Sequence, residues 1–294
     1  IGNFALDALT TADNCVAIGY NAGTALTTDG GGSVLIGYSA GAAITTGASN
    51  LFIGENAGDG FDAENNNLGI GRSALGGPVN GGEYNTAIGN WALDALTTAD
   101  HCTAIGYSAG SALTTATGST FIGYHAGLLQ TSCTSTIAIG ENALSGAAGG
   151  TGQSVIIGTS AGAALTSAGS VVFIGHQSGD AATSESHNVG IGRDSLGGAV
   201  NGGEYNVAVG SQALDALTTA DNCVAVGYNA GGAITTGAKC VAIGDAAGAT
   251  ITSGSNDICI GKDAGNSGSP GGALGTGDNQ LCLGDGNITN AHVQ

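Results

Sequence analysis

The stretch VAIGYNAG, Val16–Gly23, decides the fold because the chain repeats it. It returns as VAVGYNAG at Val224–Gly231, and looser copies fill the sequence between. The glycine that ends its Ile-Gly dipeptide recurs every 17 or 18 residues from Gly2 to Gly261, with a Leu-Gly copy at Gly284 after a longer interval of 23. Helix-pair repeats need about 33 residues or more, so this period predicts stacked β-coils.

Within one period, Val16 and Ile18 stand two positions apart and therefore share one face of a strand. Such β-branched residues favour strands. Ala22 and Leu26 follow as a second, weaker apolar ladder, and Thr, Asn, Ser, Asp and Gly fill the return. We predict an all-β fold, a parallel β-solenoid or β-roll of about 16–17 coils of 17–18 residues each, with coils about 4.8 Å apart.

The repeat defines the domain organisation. Residues 1–265 are predicted to form the β-roll, and residues 266–294 an irregular last coil with a C-terminal transition segment. The chain contains no methionine and opens in the middle of a repeat, which we interpret as a fragment of a longer fibre protein. A longer period is superimposed, because GIGRSALGGPVNGGEYN at Gly69–Asn85 recurs as GIGRDSLGGAVNGGEYN at Gly190–Asn206, 121 residues later.

The middle residue of each strand is predicted to point away from the coil interior, yet it is never charged. A strand that is apolar on both faces is usually buried on both. We therefore predict that this column packs against other copies of the chain, most simply around a symmetry axis. The predicted oligomer interface consists of Ala17, Leu35, Phe52, Ala87, Ala104, Phe121, Ala138, Ile156, Phe173, Ala208, Ala225, Ala242, Cys259 and Cys282. The residue after each glycine, such as Tyr20 or Glu55, varies and is predicted to meet solvent.

Composition excludes several partners. The chain has 294 residues, 57 of them Gly, with 42% hydrophobic residues and a net charge of −18. Such a charge repels nucleic acid and anionic membranes. No run of about 18 apolar residues is present, so membrane insertion is not expected. The five histidines lie at no spacing typical of a triad or metal site, and we expect no enzymatic activity.

Two kinds of side chain leave alternatives open. Glu83 and Asp100 share a coil position, as do Glu204 and Asp221; stacked carboxylates are either exposed turn residues or calcium ligands. The seven cysteines are either small residues in stacked columns or form bonds between coils at Cys223–Cys240 and Cys259–Cys282. Apart from possible calcium, no cofactor is expected.

Paired threonines such as Thr97-Thr98 and Thr218-Thr219 recur along the chain. Regular threonine ladders on a flat solenoid can bind ice. Adjacent residues of a strand point to opposite faces, so only one threonine of each pair faces outward. Ice binding therefore ranks third among the functions considered.

The segments NNLGIGRSAL (Asn66–Leu75), YNTAIGNWAL (Tyr84–Leu93) and VAIGYNAG give the chain a family resemblance. It resembles the β-roll heads of trimeric autotransporter adhesins, and still more the related repeats of phage and other virion fibres. The resemblance implies a left-handed roll, a homotrimeric rod and an extracellular position on a virion appendage or a bacterial surface. The expected function is a structural fibre shaft or head segment that supports host attachment. The alternative is a cell-surface adhesin head, with a glycan or protein receptor as a further partner.

Overall fold

The computed structural model describes residues 1–11, 13–27, 31–78, 80–146, 149–269 and 272–285. These residues contain no helix, and each of their strands is three residues long. The strands are β1 (Val16–Ile18), β2 (Val34–Ile36), β3 (Leu51–Ile53), β4 (Leu68–Ile70), β5 (Thr86–Ile88), β6 (Thr103–Ile105), β7 (Thr120–Ile122), β8 (Ile137–Ile139), β9 (Val155–Ile157), β10 (Val172–Ile174), β11 (Val189–Ile191), β12 (Val207–Val209), β13 (Val224–Val226), β14 (Val241–Ile243), β15 (Ile258–Ile260) and β16 (Leu281–Leu283). The all-β prediction is confirmed.

The chain divides into two compact units, residues 1–153 and 154–294. The first unit contains β1–β8 and the second contains β9–β16. Within each unit every strand pairs in parallel with the next, first residue on first residue. Both units are therefore parallel β-solenoids, as the period predicts. Strand β16 lies inside the predicted transition segment, and the tail after Asp285 lies outside the described residues.

The glycine after each strand is required for two reasons. Gly89 adopts a φ of +135°, a conformation that other residues resist. A Cβ at Gly89 would also overlap the carbonyl group of Gly106 in the following coil. Two and four residues further on, Trp91 and Leu93 adopt the left-handed conformation, with φ of 57° and 51°. This succession of positive φ angles turns the chain back to begin the second layer of the coil.

The interior of each coil is narrow and filled by complementary sizes. In the coil of β5, Ala87, Ala92, Leu93 and Leu96 are fully buried. In the coil of β3 the middle residue is Phe52 instead, and the position that corresponds to Leu93 is a glycine. Every coil with Leu at the position of Leu93 has Ala or Gly in the middle of its strand. Every strand with Phe in its middle has Gly at the position of Leu93. The two positions therefore share one volume, packed as densely as protein interiors generally are.

A buried ladder of side-chain amides joins successive coils. The Oδ1 atoms of Asn50, Asn67 and Asn85 each accept a hydrogen bond of 2.9 Å from the backbone N–H of the residue below, which is Asn67, Asn85 and Cys102 respectively. Their Nδ2 atoms donate to backbone carbonyl groups, including that of Ala99 at 2.8 Å. Since buried polar groups are costly without partners, this ladder fixes the spacing of these coils and the inward direction of the residues before β3, β4 and β5.

A buried carboxylate anchors one loop in each unit. Glu64 Oε2 accepts hydrogen bonds from the N–H groups of Asp62 and Ala63, and its Oε1 accepts one of 2.9 Å from Gly81. Glu185, 121 residues later, makes the same three contacts with Thr183, Ser184 and Gly202. Each carboxylate thus holds the GGxVNGG loop of the following coil against the solenoid.

Candidate functional surface

The outward face of each strand is apolar and open to solvent. Side chains alternate between buried and accessible from the residue before β6 onward: Cys102 and Ala104 are buried, whereas Thr103 and Ile105 reach the surface. The same alternation holds in β1, where Val16 is 44% exposed, and all sixteen strands have a buried middle residue. We call the first and third residues of all the strands the outer strip.

The predicted oligomer interface is therefore on the wrong face. Its members lie inside the coil of their own chain, between 0% and 8% exposed, and are not available to another molecule. They are Ala17, Leu35, Phe52, Ala87, Ala104, Phe121, Ala138, Ile156, Phe173, Ala208, Ala225, Ala242, Cys259 and Cys282. The physical reason is clearest along the amide ladder of Asn50, Asn67 and Asn85: the residue before the strand points inward to make its hydrogen bonds, and the middle residue, two positions later, follows it.

The outer strip, rather than the buried middle residues of the strands, is the uncharged surface that another molecule can reach. None of its residues carries a charge, in a chain whose net charge is −18. With eight strands about 4.8 Å apart, the strip runs for about 34 Å in each unit. Its exposed members include Ile18, Val226, Ile243 and Ile260, each between 38% and 43% exposed. A continuous apolar surface of this extent marks an interaction site more often than not.

Three consecutive rungs break the apolar pattern. Thr86, Thr103 and Thr120 occupy the first position of β5, β6 and β7, where the other strands carry Val, Leu or Ile. They stack directly on one another. The sequence shows them as exceptions, but their outward direction follows only from the structure. They are the functional candidates that the sequence reasoning missed.

Aromatic side chains flank the outer strip, as the variable residue after the glycine predicts. Tyr20 and Tyr38 stack at 5.3 Å between ring centroids, and Tyr107 and Tyr124 at 5.6 Å. On the other side of the strands, Tyr84 stacks on His101 and His187 on Tyr205. Arg72 lies 4.0 Å over the ring of Trp91. The rows shield the strip's edges and leave their polar atoms at the surface.

The candidate calcium ligands are engaged with the protein itself. Asp100 Oδ1 accepts a hydrogen bond of 2.7 Å from the backbone N–H of Glu83, and Asp221 accepts one of the same length from Glu204. Glu83 Oε1 accepts a further bond from the Asn65 side chain. Across the part of the chain that the structure describes, no three His, Cys, Asp or Glu residues are grouped to hold a metal ion. Calcium binding stays a prediction that calcium titration of the melting temperature can test.

Two cysteines are coupled across neighbouring coils. Cys223 and Cys240 are buried thiols in the same column as the amide ladder. The neighbouring thiol and burial raise the pKa of Cys223, whereas the Cys223 thiol lowers the pKa of Cys240 to about 7 because it favours a thiolate there. Burial raises the pKa of Cys259 to about 12; its in-register neighbour is Cys282. In the structure both pairs carry free thiols.

The threonine pairs behave as the alternation predicts. Thr98 is exposed, whereas Thr97 Oγ1 donates a hydrogen bond of 2.9 Å to the carbonyl of Thr114 in the next coil. Thr218 does the same with Thr235. In these two pairs only the second hydroxyl is presented to water, which gives ice one row of threonines there rather than two. A measurement of thermal hysteresis tests that function directly.

No protein-family model matches this chain, and no curated protein is similar to it. The described residues also include no helix long and apolar enough to cross a membrane. The functional argument therefore depends on the surface itself.

Proposed function

We propose that this chain is a structural segment of a homotrimeric extracellular fibre, such as a phage tail fibre, whose copies pack through the outer strip. The observation that carries the proposal is the uncharged ladder of outward Val and Ile side chains, which leaves each short parallel sheet apolar on both faces. Sheets of that kind are normally covered on both faces.

A second copy of the chain is the partner that fits this surface best. The strip repeats its side chains at every strand, about 4.8 Å apart, and a partner that fills it along its whole length needs the same spacing. A copy of the chain has it by construction. Three copies with their strips on a common axis form a closed assembly, and the resemblance to trimeric adhesin heads and virion fibres supports the number three.

The mechanism of such a segment is mechanical. Parallel coils joined by backbone and amide hydrogen bonds resist bending, and the buried carboxylates of Glu64 and Glu185 bind the loops at Gly81 and Gly202. Covering the strips on an axis removes the remaining apolar surface from water. The segment then holds an attachment site at a distance from the particle and takes part in no chemical step.

Mass in solution tests the proposal. The purified chain of 27.9 kDa is expected to sediment as three copies. Ile243→Asp places a charge in the outer strip and is expected to shift the protein toward monomer. Thr236→Asp, at an exposed position outside the strip, is the matched control and is expected to stay trimeric. Circular dichroism verifies that both variants remain folded, and a monomeric wild-type protein would refute the proposal.

The aromatic rows favour a second candidate, an adhesin head that binds a neutral cell-surface glycan. Tyr107 and Tyr124 are 43% and 49% exposed beside the strip, and aromatic rings with a polar tip suit wet interfaces. If these residues bind sugar, Tyr107→Ala with Tyr124→Ala abolishes binding to an array of neutral glycans, whereas Tyr228→Ala leaves it unchanged. If the wild-type trimer binds no glycan of the array, the passive shaft remains as the function.

A further inference from the structure

An apolar ladder of identical rungs does not by itself specify how two copies align. Sliding one strip along another by one rung, about 4.8 Å, replaces each Val or Ile contact with a nearly identical one. The 121-residue duplication adds a further ambiguity, because the rungs of β5–β7 have counterparts in β12–β14. A fibre needs one alignment, and weakly specified register is the recognised hazard of such surfaces.

The stacked Thr86, Thr103 and Thr120 distinguish one part of the strip from all others. Their counterparts 121 residues later are Val207, Val224 and Val241. The backbone register of the three threonines is the same as that of the valines, so the difference lies in the side chains alone. The chain thus contains the same surface twice, once with hydroxyl groups and once without.

These hydroxyl groups are available to a partner. The three threonines lie half-buried on the outward face, and within the described chain the structure records no hydrogen bond from any of their Oγ1 atoms. The threonines of the paired rows differ, since Thr97 and Thr114 donate to carbonyl groups of the next coil at 2.9 and 3.0 Å. A hydroxyl that is covered by another molecule without a partner is penalised.

We propose that Thr86, Thr103 and Thr120 form a polar layer that fixes the register of the copies in the fibre. This inference rests on the proposed self-association through the outer strip. When copies are parallel and aligned, each threonine meets the same threonine of its neighbours, and the hydroxyl groups pair with one another. Pairing of β5–β7 with β12–β14 of a neighbour places all three hydroxyl groups against Val, and a slip by one rung places one hydroxyl group of each copy against Leu68 or Ile137.

A buried polar residue in a coiled coil acts in the same way: it lowers the stability of the assembly and favours one alignment of the helices. Valine at these positions would bury more apolar surface, as in β12–β14. A single unpaired buried hydroxyl shifts an equilibrium by about tenfold; a one-rung slip leaves one hydroxyl of each copy unpaired, and pairing of β5–β7 with β12–β14 leaves all three unpaired. The aligned arrangement therefore predominates although the apolar contacts hardly distinguish it.

Photo-crosslinking of the assembled protein reads the register. Tyr107, exposed beside the strip, is replaced by benzoylphenylalanine, and mass spectrometry of mixed isotopically labelled chains identifies the captured residues of the partner. In the otherwise wild-type protein we expect cross-links to the partner's residues 99–115 alone, a range of one 17-residue period, so that a slip by one rung moves them outside it. In Thr86→Val, Thr103→Val, Thr120→Val we expect a trimer of unchanged mass whose cross-links outside that range rise by about tenfold.

The control is Thr97→Val with Thr114→Val, which removes two hydroxyl groups outside the strip and is expected to leave the cross-links in place. Two results would overturn the inference: a triple valine variant that keeps the wild-type pattern, or a wild-type trimer whose cross-links are scattered over several coils. A monomeric mass of the wild-type protein would refute the proposed function itself. It is measured before the cross-linking and would remove the premise of the inference as well.

Discussion

The side-chain Oδ1 of Asn67 accepts a hydrogen bond of 2.9 Å from the backbone N–H of Asn85, one coil further along the solenoid. Through Nδ2 the same amide donates 3.0 Å hydrogen bonds to the carbonyls of Asn65 and Gly82. One buried side chain therefore replaces three water contacts, and its position before the strand decides which way every following residue points.

Asn67→Ala is expected to destabilise the first unit by about 2–4 kcal/mol, because it leaves a buried N–H and a buried carbonyl without partners. Asn67→Ser is expected to cost less, since Ser119 occupies the same column and both accepts from Thr136 and donates to Cys133. Urea denaturation followed by circular dichroism measures both. Equal losses for the two variants would contradict the role of the amide ladder.

The shared volume of Phe52 and Gly58 predicts a compensating pair of substitutions. Gly58→Leu alone is expected to destabilise by about 1–3 kcal/mol through overpacking against the Phe52 ring, and Phe52→Ala alone by about 3–5 kcal/mol through a cavity. Together they recreate the Ala87 and Leu93 combination of the β5 coil, so the double variant is expected to lose less than the sum. A double-mutant cycle measures the coupling, and additive losses would exclude a shared volume.

Much of the fold could be predicted because the residues that determine it recur within each 17-residue repeat. The 17-residue spacing of Gly19 and its equivalents places every strand, and the parallel stacking follows since each coil repeats the last. The direction of the strand face could not be obtained in the same way. The β-branched pattern places Val16 and Ile18 in the interior, whereas Ala17 lies there; the same position holds Leu35 and Phe52 in other coils, so residue size alone does not decide the face.

A signal for the correct face was present in the sequence. Leu93 occurs with Ala87, and Gly58 occurs with Phe52; no strand with Leu, Ile or Phe in its middle has a Leu six positions later. Such compensation indicates two side chains in one cavity. The loop anchored by Glu64 had no comparable signal, because its hydrogen bonds depend on a backbone conformation, φ of +108° at Gly81, that the sequence does not specify.

The buried carboxylate of Glu64 is expected to be indispensable to its loop. Glu64→Gln replaces one acceptor oxygen by an N–H₂ group that faces backbone donors, and we expect a loss of about 1–3 kcal/mol together with faster hydrogen exchange at Gly81. Glu55→Gln, an exposed site in the same unit, is the control and is expected to change neither. Retained protection of the Gly81 N–H from hydrogen exchange in Glu64→Gln would show that the loop keeps its conformation without this carboxylate.

Mild acidification is expected to stabilise the first unit, because it protonates the half-buried carboxyl groups of Asp59 and Asp94. Burial raises the pKa of both groups, and the charge of Asp94 raises the pKa of Asp59 further. The folded state therefore binds protons before the unfolded state does as the pH falls from 7 toward the ordinary Asp range of about 4. The loss of stability caused by burying the two charged carboxylates is fully present at neutral pH and is relieved as the pH falls from 7 toward about 4.

Asp59→Asn with Asp94→Asn removes the penalty at neutral pH, so the double variant is expected to melt at a higher temperature than the wild type at pH 7. The difference between the two proteins is expected to shrink as the pH is lowered, because protonation then relieves the wild type as well. Asp245→Asn, at an exposed position, controls for the change in net charge. Thermal melts between pH 4 and 7 measure the effect, and a difference that stayed constant across this range would assign it to something other than the titration of these two carboxyl groups.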